Sequence, residues 1–195
     1  VIETLNDLQD RGKIILFGAS NWSRLRLEEA KEYAEKNGLS AFSVCSNQFS
    51  LAVQHDDPYP GTSSIRTSPR DCELEWYRRT QFPLLAWSSL ARGFFSGKYT
   101  RDNLADFEDL QSRICIRCYA KEDNLIRLER ARQLAEEKGA TTAQIALAYI
   151  FRQRINCFAV TGTSNPAHFR ESIDAFDIAL SDREIEWLDL ESDTR

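Results

Sequence analysis

The chain has 195 residues and is 42% hydrophobic, enough for one sizeable core and too short for two, so residues 1–195 are expected to form a single domain. Its 25 basic and 30 acidic side chains leave a formal charge of -5, and no long run of Lys and Arg offers a footprint for nucleic acid. No apolar stretch approaches the roughly 20 residues of a membrane-spanning helix, and Val1-Ile2-Glu3-Thr4 has neither the charged nor the apolar region of a secretion signal, so no membrane partner and a soluble, cytoplasmic protein are expected.

In chain order, Ile2, Leu5 and Leu8 lie three apart and predict the tail of an amphipathic helix over residues 1–11, closed by Gly12 in a left-handed conformation. Lys13-Ile14-Ile15-Leu16-Phe17-Gly18 is a short continuous apolar run, the pattern of a parallel strand buried on both faces. Ser23 is a candidate N-cap for a helix over 24–37, with Leu25, Ala30, Tyr33 and Ala34 inward and Gly38 as the stop. This strand-then-helix unit recurs three times, the mark of parallel strands joined by helical crossovers. The second strand is Phe42-Ser43-Val44-Cys45-Ser46-Asn47, with a helix from about 71 to 80. Between them, residues 51–70 with Pro58, Pro60, Gly61 and Pro69 form one long irregular segment. Such a loop is either functional or disordered, and nothing in its residues, His55 included, points to chemistry by itself.

Pro83-Leu84-Leu85-Ala86-Trp87-Ser88 is the third strand, followed by a glycine-punctuated turn over 92–97 and helices over 122–138 and 142–152 that Gly139 separates. The alternating charges of 127–138 read as a solvent face with pairs one turn apart. Asn156-Cys157-Phe158-Ala159-Val160 is the fourth strand, and helices near 166–175 and 182–190 finish the chain, the last opened by a capping box of Ser181 and Glu184. Five cysteines, an odd number, argue against a disulfide framework and for a reducing compartment. Cys115-Ile116-Arg117-Cys118 lacks the further ligands of a metal site and the strand-to-helix context of a redox pair, so free thiols are expected. The absence of Met, at position 1 as elsewhere, leads to the expectation that something precedes Val1.

Three stretches, each just after an expected strand, carry a family resemblance. Gly18-Ala19-Ser20-Asn21-Trp22 resembles the G-(V/A)-S-N-(F/W) signature of the aldo-keto reductases. Ala86-Trp87-Ser88-Ser89-Leu90-Ala91-Arg92-Gly93 resembles their (Y/W)-S-P-L-A-x-G, and Thr161-Gly162-Thr163-Ser164-Asn165-Pro166 resembles their G-(T/A)-S-N-x loop. Asn47-Gln48-Phe49-Ser50 fills the place of N-Q-(Y/F)-S. Each alone is weak; together they keep family order and sit at the carboxyl ends of strands, where barrels of this kind hold their sites. The resemblance implies an α/β chain forming the C-terminal half of a (β/α)8 barrel, four βα units plus C-terminal helices, with the N-terminal barrel half absent.

It further implies an oxidoreductase that binds NADP(H) and, in the full-length family, reduces aldehydes or ketones by hydride transfer. By resemblance, Ser20, Asn21 and Gln48 hold the nicotinamide carboxamide, a group needing both donors and acceptors. Trp87 covers one face of the ring, and Ser88, Ser89, Leu90, Ala91, Arg92 and Lys98 clamp the diphosphate. Gly162 and Ser164 match phosphate contacts, and His168, Glu171 and Ser172 match adenine-side positions. Taken singly, Ser20 and Asn21 also read as an ordinary helix start, Trp87 as core filling, and Lys98 and His168 as solvated surface groups.

Three departures stand out. Ser89 replaces the usual proline, which is expected to loosen a turn, while His168 in place of Gln or Arg and Ser172 in place of Asn leave NADPH over NADH open. The family's catalytic Asp, Tyr, Lys and His lie on the first four strands, and no stretch here matches their motifs. The chain by itself is therefore expected to have little or no reductase activity. A non-catalytic nucleotide-binding or regulatory module, like relatives resembling potassium-channel β subunits, is the alternative, and a degenerate remnant with no ligand is a third reading. Four βα units are too few to close a barrel, so the open edges are expected to pair with a second copy or with the missing half.

Overall fold

The computed structural model describes residues 1–66 and 72–195. Four strands, β1 (Ala19–Ser20), β2 (Cys45–Ser46), β3 (Leu84–Ala86) and β4 (Cys157–Ala159), form one sheet in the order β1-β2-β3-β4, every pair parallel. Helix α1 (Ile2–Asp10) precedes the sheet, α2 (Arg24–Lys36), α3 (Cys72–Thr80), α4 (Leu110–Tyr119), α5 (Glu122–Lys138) and α6 (Thr142–Arg152) fill the crossovers, and α7 (Pro166–Asp174) and α8 (Asp182–Leu188) follow β4. Sequential neighbours in a parallel sheet with helical returns are the expected result of repeated right-handed βα units. The expected start of α3 at residue 71 and the end of the long loop, 67–70, lie outside the described residues.

The caps explain the helix limits. The Ser23 hydroxyl accepts from Arg26 N to open α2, and Asn165 caps α7 from the residue before Pro166. Thr141 with Gln144 and Ser181 with Glu184 each form a reciprocal capping box, opening α6 and α8. Gly139 ends α5 with φ 63, the left-handed turn that glycine takes without a Cβ clash. One helix escapes the sequence pattern. The buried side of α4 is Ser112, Cys115, Cys118 and Tyr119, too polar and small to read as an apolar stripe.

Two expectations need correction. The run 13–18 is not a strand buried on both faces: Ile15 is 86% and Leu16 69% exposed, and only Phe17 is buried. Pairing along β1 does extend beyond its two residues, through Ser43 N to Phe17 O (3.0 Å), Ala19 N to Val44 O (3.0 Å) and Asn21 N to Ser46 O (3.0 Å). The outer side of β1 is an edge, so nothing buries the rest of the run. In α2 the inward residues are Leu27 and Ala34, while Leu25 and Tyr33 face solvent.

The sheet has one covered and one open face. Cys45, Leu84 and Ala86 are fully buried beneath the helices, with Leu128, Leu134, Tyr149 and Tyr119 in the same core. On the opposite face Ser20 and the in-register pair Leu85 and Phe158 are exposed. Alternation along each strand sends successive side chains to these two faces, and the shared direction of the four parallel strands puts their carboxyl ends at one rim.

Candidate functional site

Most of the residues singled out in the sequence lie on that rim. A cavity of about 520 Å³ opens there, between the turn after β3 and the loop joining β4 to α7. It is lined by Ser88, Ser89, Leu90, Arg92, Gly162, His168, Glu171 and Ser172, together with Ser96, Leu147 and Thr163 among others. Its size matches that of small-molecule sites, ~300–1,000 Å³.

The backbone of the rim is unusual. Among the described residues the non-glycine positions with positive φ are Asn21, Gln81, Ser88, Ala91, Arg92 and Leu190. Four of the six, Asn21 (φ 58), Ser88 (φ 52), Ala91 (φ 50) and Arg92 (φ 56), fall in the motifs that follow β1 and β3. Such conformations are costly for L-residues and concentrate at functional sites. They leave the N–H groups of Ser88, Ser89 and Leu90 without a hydrogen bond among the described residues. Unpaired N–H groups in such a turn form a concave binding place for an anion.

Arg92 adds a cation. Its terminal nitrogen donates to Gln111 Oε1, while its buried Nε has no partner among the described residues. Gly162 has no positive φ, and a Cβ there would meet nothing within 4 Å, so the fold itself does not require glycine at this place. Across the cavity Asn165 Oδ1 accepts from Ala167 N (3.0 Å) at the start of α7. Glu171 accepts from the Thr141 hydroxyl, and Ser172 Oγ donates to His168 O (2.8 Å). The phosphate-side residues thus form a fitting cradle: free N–H groups, a cation and a glycine with room before it.

Ser89 does not loosen its turn. Buried, its Oγ lies 2.9 Å from Ala86 O and 3.2 Å from Val160 O, tying the ends of β3 and β4. Three of the residues expected on the phosphate and adenine side lie apart from the cavity. Lys98 Nζ donates to Ser112 Oγ (3.2 Å) and sits over the Tyr99 ring at 4.6 Å, Ala91 is fully buried with its carbonyl facing Cys115 Sγ, and Ser164 is exposed on the loop.

The other end of the rim is filled by the chain. Asn21 Oδ1 accepts from Ser63 N (3.1 Å), and its Nδ2 donates to Ser20 Oγ (3.3 Å), which in turn donates to Ser46 O (3.2 Å). Gln48 is fully buried: Nε2 donates to Ser50 Oγ (2.9 Å), Oε1 accepts from Ser64 Oγ (2.5 Å), and its backbone bonds Ser63 O and Ile65 N. Tyr59, 51% exposed, stacks on Trp87 with centroids 6.1 Å apart and the planes 22° from parallel. Residues 59–65 were invisible as site components because each contact is made across the fold, without local pattern.

Burial pushes Tyr77, Tyr119 and Tyr149 well up, and a hydrogen bond to Glu3 raises Tyr33. A general acid needs the opposite shift. Cys115 and Cys118 are buried within α4, and burial pushes the Cys115 thiol up to about 11. Among the described residues no group of three His, Cys, Asp or Glu side chains is placed to hold a metal, and no helix is long and apolar enough to cross a membrane.

The family model described as the aldo/keto reductase family matches residues 1–190. The chain belongs to this family. Versiconal hemiacetal acetate reductase of Aspergillus parasiticus is 23% identical over 194 residues, covering 97% of this chain and 51% of that one. Norsolorinic acid reductase of Aspergillus flavus is 28% identical over 194 residues, covering 97% and 43%. A probable voltage-gated potassium channel subunit beta of Arabidopsis thaliana is 24% identical over 185 residues, covering 91% and 51%. The chain therefore spans about half the length of the relatives it matches. The crystal structure of an aldo/keto reductase from Klebsiella pneumoniae in complex with NADP and acetate superposes with a TM-score of 0.63 at 21% identity, covering 100% of this chain and 54% of that one. The open parallel sheet is thus half of an aldo/keto reductase barrel.

Proposed function

We propose that this chain is the dinucleotide-holding half of an NADP(H)-dependent aldo/keto reductase acting on aldehydes or ketones. The observation that carries the reading is the coincidence of left-handed Ser88, Ala91 and Arg92 with an open cavity at the place where the family motif holds its cofactor. Ser88, Ser89, Leu90 and Arg92 hold the diphosphate, Gly162 admits a phosphate at close approach, and His168, Glu171 and Ser172 line the adenosine side. Ser20, Asn21, Gln48 and Trp87 provide the nicotinamide end, and Lys98, Ala91 and Ser164 support the loops from outside the cavity. When bound, the nicotinamide would supply hydride to a carbonyl carbon, or accept it from the corresponding alcohol carbon. No stretch of the chain matches the motifs that carry the family's catalytic Asp, Tyr, Lys and His, so the proton comes from a group that these residues do not supply. The chain alone therefore has little or no turnover.

A regulatory nucleotide-binding module is the second reading, favoured by the same lack of a proton donor and by the likeness to the probable potassium channel subunit. Residues 1–195 act as one partial domain in both readings, and the unpaired Cys45, Cys115, Cys118 and Cys157 suit the cytoplasm. Calorimetric titration of the 195-residue chain with NADP⁺ and with adenosine 2′,5′-bisphosphate tests the reading. Binding of at least one ligand is expected, weakened about tenfold or more by Arg92→Ala, because a hydrogen bond to a charged group is lost. No binding of either ligand would sink the reading, and aldehyde reduction at ordinary enzyme rates would overturn the expected inactivity.

A further inference from the structure

The two ends of the proposed site differ in kind. The adenosine-phosphate end is an open cavity with unpaired N–H groups and a buried Arg92 Nε. At the nicotinamide end three of the four proposed partners of the ring are engaged by one segment of the chain, while Ser20 bonds Ser46 O and Asn21. Asn21 takes Ser63 N, Gln48 takes Ser64 Oγ and two backbone bonds, and the Trp87 face carries Tyr59. We propose that residues 59–65 form a strap that occupies the nicotinamide place, so that the ligand of this chain is the 2′-phosphorylated adenosine half of the dinucleotide. This rests on the cofactor reading above and narrows it to one half of the molecule.

The strap is held as a shaped loop. Its ends meet through Gln54 N to Arg66 O at 3.4 Å, the closed outline of an Ω-loop. Arg66 is buried and bound to Asp189 Oδ1 (2.6 Å) and to the Tyr149 hydroxyl, which itself donates to Asp189 Oδ1 (2.6 Å). On the other side Arg117 holds Asp56 Oδ2 (2.7 Å) and Asp57 O (2.9 Å), and Asn124 pairs with both backbone groups of Val53. These anchors lie at the base of the loop, while the tip meets the rim by a ring stack and four hydrogen bonds. Ser64 mimics a carboxamide donor on Gln48, and Tyr59 mimics a flat ring on Trp87. A full dinucleotide must break these bonds before its nicotinamide gains the same partners, so that half adds little net affinity. The adenosine half meets no such competition.

The test compares two ligands on two proteins. On the wild-type chain, adenosine 2′,5′-bisphosphate and NADP⁺ should bind with dissociation constants within about threefold of each other. Tyr59→Ala combined with Ser64→Ala removes the ring and the hydroxyl from the tip while leaving the anchors at Arg66 and Arg117. This variant should bind NADP⁺ about tenfold tighter and the bisphosphate unchanged. Increased acrylamide quenching of tryptophan fluorescence, with an unchanged helical circular dichroism spectrum, would report that Trp87 has been uncovered in a folded protein. Wild-type NADP⁺ binding more than tenfold tighter than the bisphosphate, or a variant whose ratio of the two affinities does not move, overturns the strap. Failure of both ligands to bind either protein removes the cofactor reading instead, and the strap with it.

Discussion

Ser88, Ala91 and Arg92 take a conformation that costs an L-residue about 1–2 kcal/mol, and glycine at any of them would relieve it. The chain keeps side chains there because Ser88 and Arg92 line the cavity. Gly18 is the reverse case. Its φ is not in the left-handed region, but a Cβ would stand 2.5 Å from Val44 Cγ1 and 2.6 Å from Val44 O, as β1 crosses against the run before β2. One of those obstacles is backbone and cannot rotate away. Gly18→Ala should therefore destabilise the chain by about 1–3 kcal/mol through forced displacement of the strand. Chemical denaturation reads this directly; a midpoint equal to wild type would show that β1 is free to shift and that the glycine serves the motif alone. In the sequence Gly18 stands out only as the end of an apolar run and the start of a signature, and its physical necessity depends on a neighbour 26 positions away, Val44.

Among the elements, helices were legible where caps and stripes coincide. The limits of α5 and α6 follow from Gly139 and the Thr141–Gln144 box, and α8 begins where Ser181 and Glu184 place it. The helix α4 was not legible, since its inward side is mostly serine and cysteine, though Asp109 accepting from Ser112 N is a cap of the ordinary kind. Three strands were found but read too long, and the first was placed on the run before β1, because an apolar run does not say whether a neighbouring strand exists to bury it. The motif loops were legible as short polar patterns; the strap was not, for its partners come from β1, β2 and β3 at once. The junction of α5 with α8 also carries a pH dependence. Glu184 is partly buried, which raises its pKa, but Lys138 Nζ at 2.7 Å and the Ser181 N–H outweigh this and hold the carboxyl below its usual 4.5. A lowered folded value means the unfolded state binds the proton more readily, so this contribution is complete above about pH 4.5 and fades as pH falls through the folded value. Glu184→Gln keeps the capping geometry without the charge. Its unfolding free energy should fall less steeply than that of wild type on going from neutral pH to about pH 3; parallel curves would show that the ion pair contributes nothing.

For the whole molecule the decisive feature is a parallel sheet with one face bare. Parallel sheets are ordinarily covered on both faces, since their strands are apolar throughout. Here Leu85 (37% exposed) and Phe158 (55% exposed) stand side by side on the open face, and Ile15 and Leu16, in the run before β1, are exposed as well. Burying one such side chain fully is worth ~1.5–3 kcal/mol, so covering several outweighs the entropy of a modest association. The sheet ends at β1 and β4, so backbone groups on the outer sides of both are open to pairing. Two occupants suit this surface, a second copy of the chain and the amino-terminal half of an aldo/keto reductase barrel. The purified 195-residue chain should accordingly show concentration-dependent association in analytical ultracentrifugation and bind an apolar dye. Leu85→Thr with Phe158→Ser changes residues on the open face alone, leaving Leu84, Ala86 and the helix-covered core as they are. The variant should move the distribution toward monomer and lower dye binding several-fold, with its helical circular dichroism retained. A wild-type chain that sediments as a monomer at every concentration and binds no dye would mean that the open face is covered by the chain itself in solution, contrary to the half-barrel arrangement.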